Sequence, residues 1–163
     1  MSSNAIKQRV ERAVHADLKA ALEANPSFDK VNFFYRQTNQ TYTHPSVLVA
    51  CENAPLLTSA PLIYEAKIDL YITSIAVFVD EDGAAKPDDF HVDRVGLVED
   101  WLFEVEASDP DEPTLKTRLN AQDVFPLLIL DVEFAEPESF QSEKHWVDKQ
   151  TFHVFCQQKI VES

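Results

Sequence analysis

The run from Ile63 to Val79, Ile-Tyr-Glu-Ala-Lys-Ile-Asp-Leu-Tyr-Ile-Thr-Ser-Ile-Ala-Val-Phe-Val, contains neither glycine nor proline and reads as one uninterrupted β-strand, closed by the acidic turn Asp80-Glu81-Asp82-Gly83. At ~3.3 Å per residue it reaches roughly 50 Å when extended, whereas an ordinary strand has about five or six residues. A strand of that length overhangs the core it helps to build. Such an overhang suits a subunit that joins a shared sheet or a ring with its neighbours. Within the run, Tyr64, Ala66, Ile68, Leu70 and Ile72 alternate with Glu65, Lys67, Asp69, Tyr71 and Thr73, the period-two pattern of a half-buried strand. After Ser74 the apolar residues are Ile75, Val77 and Val79, on the opposite parity. That change of phase predicts a bulge near Thr73-Ser74, or a second half covered on both faces.

The rest of the chain supplies the layers around this strand. From Asn4 to Ala24, Ile6, Val10, Val14, Leu18 and Leu22 recur every four residues, the stripe of an amphipathic helix. Ser3 or Asn4 is placed to cap its first amides, and Asn25-Pro26 stops it. Val31 to Arg36 and Ser46 to Glu52 read as strands, the second apolar on both faces as an interior strand is. Asp88 to Val105 carries Phe90, Val95, Leu97, Val98, Trp101 and Leu102 at helical spacing, which predicts a central helix packed across the sheet with Trp101 in the core above Ile72, Ile75 and Val77. The acidic, proline-bearing segment from about 106 to 113 reads as a surface loop, and Leu115 to Asn120 as a short helix. Phe125 to Phe134 and Trp146 to Ile160 read as two closing strands that pair antiparallel, with Pro126 confined to a strand start or an edge. The expected fold is therefore α+β across a single domain, 1–163. Its sheet is mixed and mainly antiparallel, with one long strand, packed against an N-terminal helix and a central amphipathic helix.

Charge and composition narrow the function. Lys and Arg total 14 against 28 Asp and Glu, a net charge of −14, which opposes any broad contact with nucleic-acid phosphates. The N-terminal residues have no apolar signal region, and no apolar run approaches the ~18 residues of a membrane span, so neither export by a signal peptide nor membrane insertion is expected. Cys51 and Cys156 sit inside apolar strand patterns and are expected to be buried, reduced thiols. The sequon Asn39-Gln40-Thr41 is read as accidental in a chain without a secretory signal.

No chemical motif stands out. His15, His44, His91, His145 and His153 show no metal-binding spacing, and no cysteine lies three residues from another. Asp80-Glu81-Asp82-Gly83 lacks the later oxygen ligands of a calcium loop, with Ala84 at the fifth position. Only Gly83 and Gly96 are glycines, which leaves no phosphate-cradling loop and no nucleophile elbow. Asp131 and Glu133 share a strand face but read as solvated or interface charges rather than an acid/base pair. No catalytic, cofactor or metal residue is assigned. Trp101 lies on the apolar stripe of its helix, whereas Trp146, beside His145 after a polar loop, is free to anchor a neighbour.

The order of elements, with the runs Tyr64-Glu-Ala-Lys-Ile-Asp-Leu-Tyr-Ile and Val95-Gly-Leu-Val-Glu-Asp-Trp-Leu-Phe, resembles the tail terminator (tail completion) proteins of tailed bacteriophages and related contractile particles. The resemblance covers most of the chain in pattern and size; the acidic loop at 106–113 has no counterpart in it. It implies a non-enzymatic virion protein of the tail-neck region, assembled in the host cytoplasm. Its partners would be copies of itself in a hexameric ring, the tail tube protein on one side and a head-completion or neck protein on the other, with DNA passing through unbound. On that reading Tyr71, Thr73 and Trp146 are the candidate interface residues, and Asp80, Glu81 and Asp82 the candidate lining of the channel. Two other classes remain: another neck protein such as a head-tail stopper or adaptor, and a small cytosolic hydrolase or isomerase with His and carboxylates in a cleft.

Overall fold

The computed structural model describes residues 2–36, 43–78, 85–87, 90–103, 114–122, 124, 126–141 and 144–159. Helix α1 (Ser3–Leu22) begins under a cap from Ser2, one residue before the expected caps, whose hydroxyl accepts the Ala5 N–H at 3.2 Å. Asn25 then caps a single 3-10 turn, Pro26–Phe28, instead of ending the helix itself. Strands β1 (Asn32–Tyr35), β2 (Ser46–Asn53), β3 (Leu56–Ser59), β4 (Leu62–Phe78) and β5 (Ala85–Pro87) follow. Helices α2 (His91–Phe103) and α3 (Leu115–Ala121) precede β6 (Leu127–Phe134), β7 (Glu138–Gln141) and β8 (His145–Gln158). The α+β class holds, with a mainly antiparallel mixed sheet whose spine runs β1-β2-β4-β8-β6. Only β1 and β2 pair parallel among the described strands.

The long strand is present, 17 residues from Leu62 to Phe78. It forms the centre of the sheet with β8, paired without interruption from Ile63 opposite Gln157 to Ile75 opposite His145. The expected bulge at Thr73-Ser74 is therefore absent. Tyr64, Ala66, Ile68, Leu70, Ile72 and Ser74 all share one face and are all buried, so the parity never changes. Ser74 occupies a core position as a polar residue, and Ile75 points to the other face with 47% of its surface exposed. That removes Ile75 from the core expected beneath Trp101; the side chain of Val77 lies outside the described residues, as do Val79, Asp88, Asp89 and the segment 104–113.

The helices lie on that one face. Ile6, Val10, Val14 and Leu18 of α1, Val98, Trp101 and Leu102 of α2, and Leu115 and Leu119 of α3 form one cluster with Ile68, Leu70, Ile72, Phe152 and Val154. Trp101 meets Phe152 edge to face, with ring centroids 6.4 Å apart, and its indole N–H donates to Asp17 at 2.9 Å. Arg118 of α3 donates to the same carboxylate at 3.1 Å, so one acidic side chain of α1 ties all three helices together. Near the bulge in β2, the buried Glu11 accepts the Cys51 N–H at 2.8 Å and satisfies an amide near where the ladder slips. Cys51 and Cys156 share this face on strands that flank β4, opposite Ile68 and Tyr64, and both are free thiols.

Candidate functional site

Among the described residues no helix packs on the second face of the sheet, and its chemistry is set by the odd positions of β4. Moving from the Ser74 end, the rows are Ile75 with His145; Ser46, Thr73, Val147 and Phe140; then Leu48, Tyr71, Lys149 and Glu138. The next row, Ala50, Asp69 and Thr151, is almost fully polar apart from its alanine. Rows nearer the Ser74 end form a groove of about 240 Å³ walled by Leu48, Tyr71, Phe140 and Val147, with Arg36 and His44 at its edge. Phe140 is 46% exposed on an outer strand. The groove is thus aromatic and aliphatic, with Leu48, Tyr71 and Val147 half-buried and Phe140 exposed at its edge.

The interior of this face is a charged ladder. Arg36 and Glu52 form a bond of 2.9 Å, and Lys149 bridges Asp69 at 3.9 Å and Glu138 at 3.8 Å while standing over the Tyr71 ring. Asp69 is buried, and the Thr151 hydroxyl donates to it at 2.6 Å. Burial lifts the Glu52 carboxyl, but the Arg36 hydrogen bond and charge outweigh it, with Asp69 and Lys149 assisting, and hold the group below the usual carboxylate range. Burial, reinforced by Asp69, pushes the Tyr71 phenol up. At the rim, the rings of His44 and His145 meet at 4.6 Å, and burial followed by the neighbouring imidazole lowers the His44 pKa.

The three expected interface residues are not brought together. Tyr71 and Thr73 lie on this open face, Tyr71 half-buried in the groove and Thr73 largely covered by its neighbours. Trp146 pairs with Ser74 and so belongs to the helix-bearing face, half-buried, with its indole nitrogen enclosed and unpartnered. Asp80, Glu81 and Asp82, the expected channel lining, lie outside the described residues. The sequence reading passed over Phe140 and Val147, although a phenylalanine inside the polar segment from Ala135 to His145 was a visible signal.

A second polar cluster lies under the helices. Ser74 Oγ is 2.6 Å from His91 Nδ1, and His91 Nε2 is 2.5 Å from Asp148 Oδ2, so serine, histidine and aspartate stand in series. Ser139 donates to the other oxygen of Asp148, and Arg94 donates to Ser74 Oγ at 3.1 Å and to the Ser27 carbonyl at 2.6 Å. A nucleophilic serine needs room for an electrophile and a hydroxyl whose lone pair is unengaged. Ser74 is fully buried, and a guanidinium N–H already donates to its oxygen. The cluster instead ties α2 to β4, β7, β8 and the 3-10 turn. No spacing announced it, since its members lie 17 and 57 residues apart.

Among the described residues no group of three or more His, Cys, Asp or Glu side chains is arranged to hold a metal ion, and no helix is long and apolar enough to cross a membrane. Asp131 and Glu133 are exposed on β6. No protein-family model and no curated protein matches this chain.

Proposed function

We propose that this protein is a non-enzymatic structural subunit of a tailed phage. In this reading it forms a ring, six subunits round, that caps the head-proximal end of the tail tube, joins it to head-completion or neck proteins and lets DNA pass. The observation that carries the reading is the bare face of the β4–β8 ribbon. A sheet covered by helices on one side, with Leu48, Tyr71, Phe140 and Val147 lining a groove on the other, offers a partner an apolar patch with Phe140 at its exposed edge. Resemblance in element order and size to tail terminator proteins gives that patch its partner, the end of the tail tube. The long strand supports the same reading, because it carries the patch along one rigid surface. A head-tail stopper or adaptor would use the same ring logic with other neighbours.

The test is co-sedimentation of the protein with purified tail tubes. Phe140→Asp and Tyr71→Asp put charge into the groove without touching the helix-bearing core. Both are expected to keep a wild-type circular dichroism spectrum and to lose tube binding by about tenfold or more, the loss that follows when a contact patch takes an unpaired charge. Tube binding at wild-type strength by both folded variants would overturn the assignment of this face.

A further inference from the structure

Strand β6 ends the sheet on the side away from β1, and no described strand pairs with its outer edge. Its ladder to β8 fixes which backbone groups turn outward. Lys159 donates to the Pro126 carbonyl and Ala135 to the Thr151 carbonyl, so Pro126 and Leu128 bond to β8 before the register slip between Ile129 and Asp131, and Asp131, Glu133 and Ala135 bond to it afterwards. Leu127, Ile129, Val132 and Phe134 therefore direct N–H and C=O away from the sheet. The fold itself serves the first half of this edge. Leu127 donates to the Val124 carbonyl at 2.8 Å, and the Asn120 side chain stands in for a neighbouring strand, accepting the Ile129 N–H at 2.8 Å and donating to its carbonyl at 3.1 Å. Past the slip the cover is local: Asp131 Oδ1 accepts the Val132 N–H at 2.9 Å. Among the described residues nothing meets the Val132 carbonyl or either backbone group of Phe134 from outside.

Side chains along this half alternate in chemistry. Val132 and Phe134 lie on the helix-bearing face, opposite Val154 and Phe152. There a trough of about 280 Å³ opens between the edge, α2 and α3, walled by Leu102, Phe103, Leu115, Val132 and Phe134, with Lys116 at its lip. The rings of Phe103 and Phe134 meet at 4.8 Å, yet both stay 41% and 48% exposed. Asp131 and Glu133 are exposed, and Glu133 is outermost on the open face; His153, opposite Glu133, stands 3.1 Å from Glu65. From Asp131 to Phe134 the edge thus reads acidic, apolar, acidic, apolar, with the outward backbone groups at the apolar positions.

Residues directly opposite across a strand pair share a face and interact. A strand that fits this edge therefore carries apolar residues opposite Val132 and Phe134 and basic residues opposite Asp131 and Glu133. Pairing of two β6 edges fails that requirement, because the two-fold register that bonds Val132 to Phe134 sets Glu133 against Glu133, and like charges directly opposite destabilise. The acidic run Glu104-Val105-Glu106 of this chain carries the wrong sign as well.

We propose that Asp131 to Phe134 is a docking edge for an extended segment of a partner protein in which basic and apolar residues alternate, added antiparallel to β6 as a further strand. Its apolar residues exchange main-chain hydrogen bonds with Val132 and Phe134 and lay their side chains in the trough, while its basic residues meet Glu133 and draw Asp131 off the Val132 N–H. Lys116 borders the trough on the helix side, across the strand from those basic residues. The proposal is independent of the ring reading.

The experiment titrates the full chain, without tail tubes, with the peptide acetyl-Ser-Val-Lys-Leu-Lys-Ser-amide and follows backbone amides by NMR. Saturable shifts are expected at Val132 and Phe134, and exchange of the Phe134 N–H with solvent is expected to slow at least about tenfold, the mark of a newly bonded amide. The same peptide N-methylated at its valine and leucine loses the donors and is expected not to bind. Glutamate in place of both lysines is expected to weaken binding at least about tenfold, and the double variant Asp131→Lys, Glu133→Lys is expected to reverse that preference. Phe134→Pro removes one outward donor without touching the ladder to β8, and is expected to keep a wild-type circular dichroism spectrum and lose the peptide. Equal binding of the acidic, basic and N-methylated peptides, or no change at Phe134 with any of them, would overturn the proposal. A Phe134 N–H already protected in the protein alone would also overturn it: protection at every concentration would mean that the chain covers its own edge, and protection that grows with concentration that a second copy does.

Discussion

Cys51 shows how burial decides chemistry at a single residue. Enclosure, followed by the charge of Glu11, pushes its thiol up to about 12, and burial alone lifts Cys156 to about 11. Neither forms appreciable thiolate near neutral pH, and thiolate is the reactive species. Native protein incubated with iodoacetamide at pH 7.5 is expected to remain unlabelled by mass, and to take up two labels once denatured; rapid labelling of the native form would contradict the packing. Histidines make the opposite kind of statement, about stability. Burial lowers the His15 pKa despite its bond to the Phe33 carbonyl, with Lys19 adding to the shift, and burial then His145 lowers that of His44. A histidine whose folded pKa is depressed takes up its proton more readily when unfolded. Its contribution is complete above about 6.5 and is lost as pH falls through the folded values. The urea midpoint is expected to be flat from pH 8 to 7 and to fall between pH 6.5 and 5, before carboxylates titrate, and His15→Gln is expected to flatten that fall. A midpoint that rises on acidification through this window would contradict the sign.

Elements whose side chains alternate or recur with a clear period were legible in the sequence. The stripe Ile6, Val10, Val14, Leu18 and Leu22 became the buried face of α1, and the Tyr64-to-Ile72 alternation became the buried face of β4. Legibility failed where a polar residue took a core position. Ser74 looks like a break in phase because hydropathy cannot show that His91 and Arg94 satisfy its hydroxyl beneath α2. Strands β3 and β7 were missed for the opposite reason: every residue in each is exposed, so neither carries an alternation, and both exist by pairing with β4 and β8. Of the interface residues expected from sequence, Tyr71 reached the open groove, but Trp146 fell on the other face because strand parity, not aromatic character, fixes its side. Trp101 was legible as core. Trp101→Ala removes the Phe152 contact and the Asp17 hydrogen bond, and is expected to cost about 3–5 kcal/mol, read from the shift in urea midpoint. A cost under about 1 kcal/mol would mean that α2 is not held by this side chain.

At the scale of the molecule, the two faces of the sheet divide the work. One is closed by α1, α2 and α3 around a continuous apolar cluster, and the other is left with an aromatic groove beside a charged ladder. A net charge of −14 disfavours adsorption of a passing duplex, as a channel protein requires, although charge alone speaks first to solubility. The resemblance that suggested a ring rested on element order and size; strands β3, β5 and β7 lie outside the order read from the sequence, and contacts between copies were not legible, because they depend on which side chains folding brings to the surface. Ring formation on the tail is the claim on which the rest depends. The most direct measurement is native mass spectrometry of the full-length protein with and without purified tail tubes, paired with electron-microscopic imaging of the tube ends. The expected result is a closed ring of one stoichiometry, six copies, seated on one end of the tube. Monomers under every condition, including on the assembled particle, would contradict it.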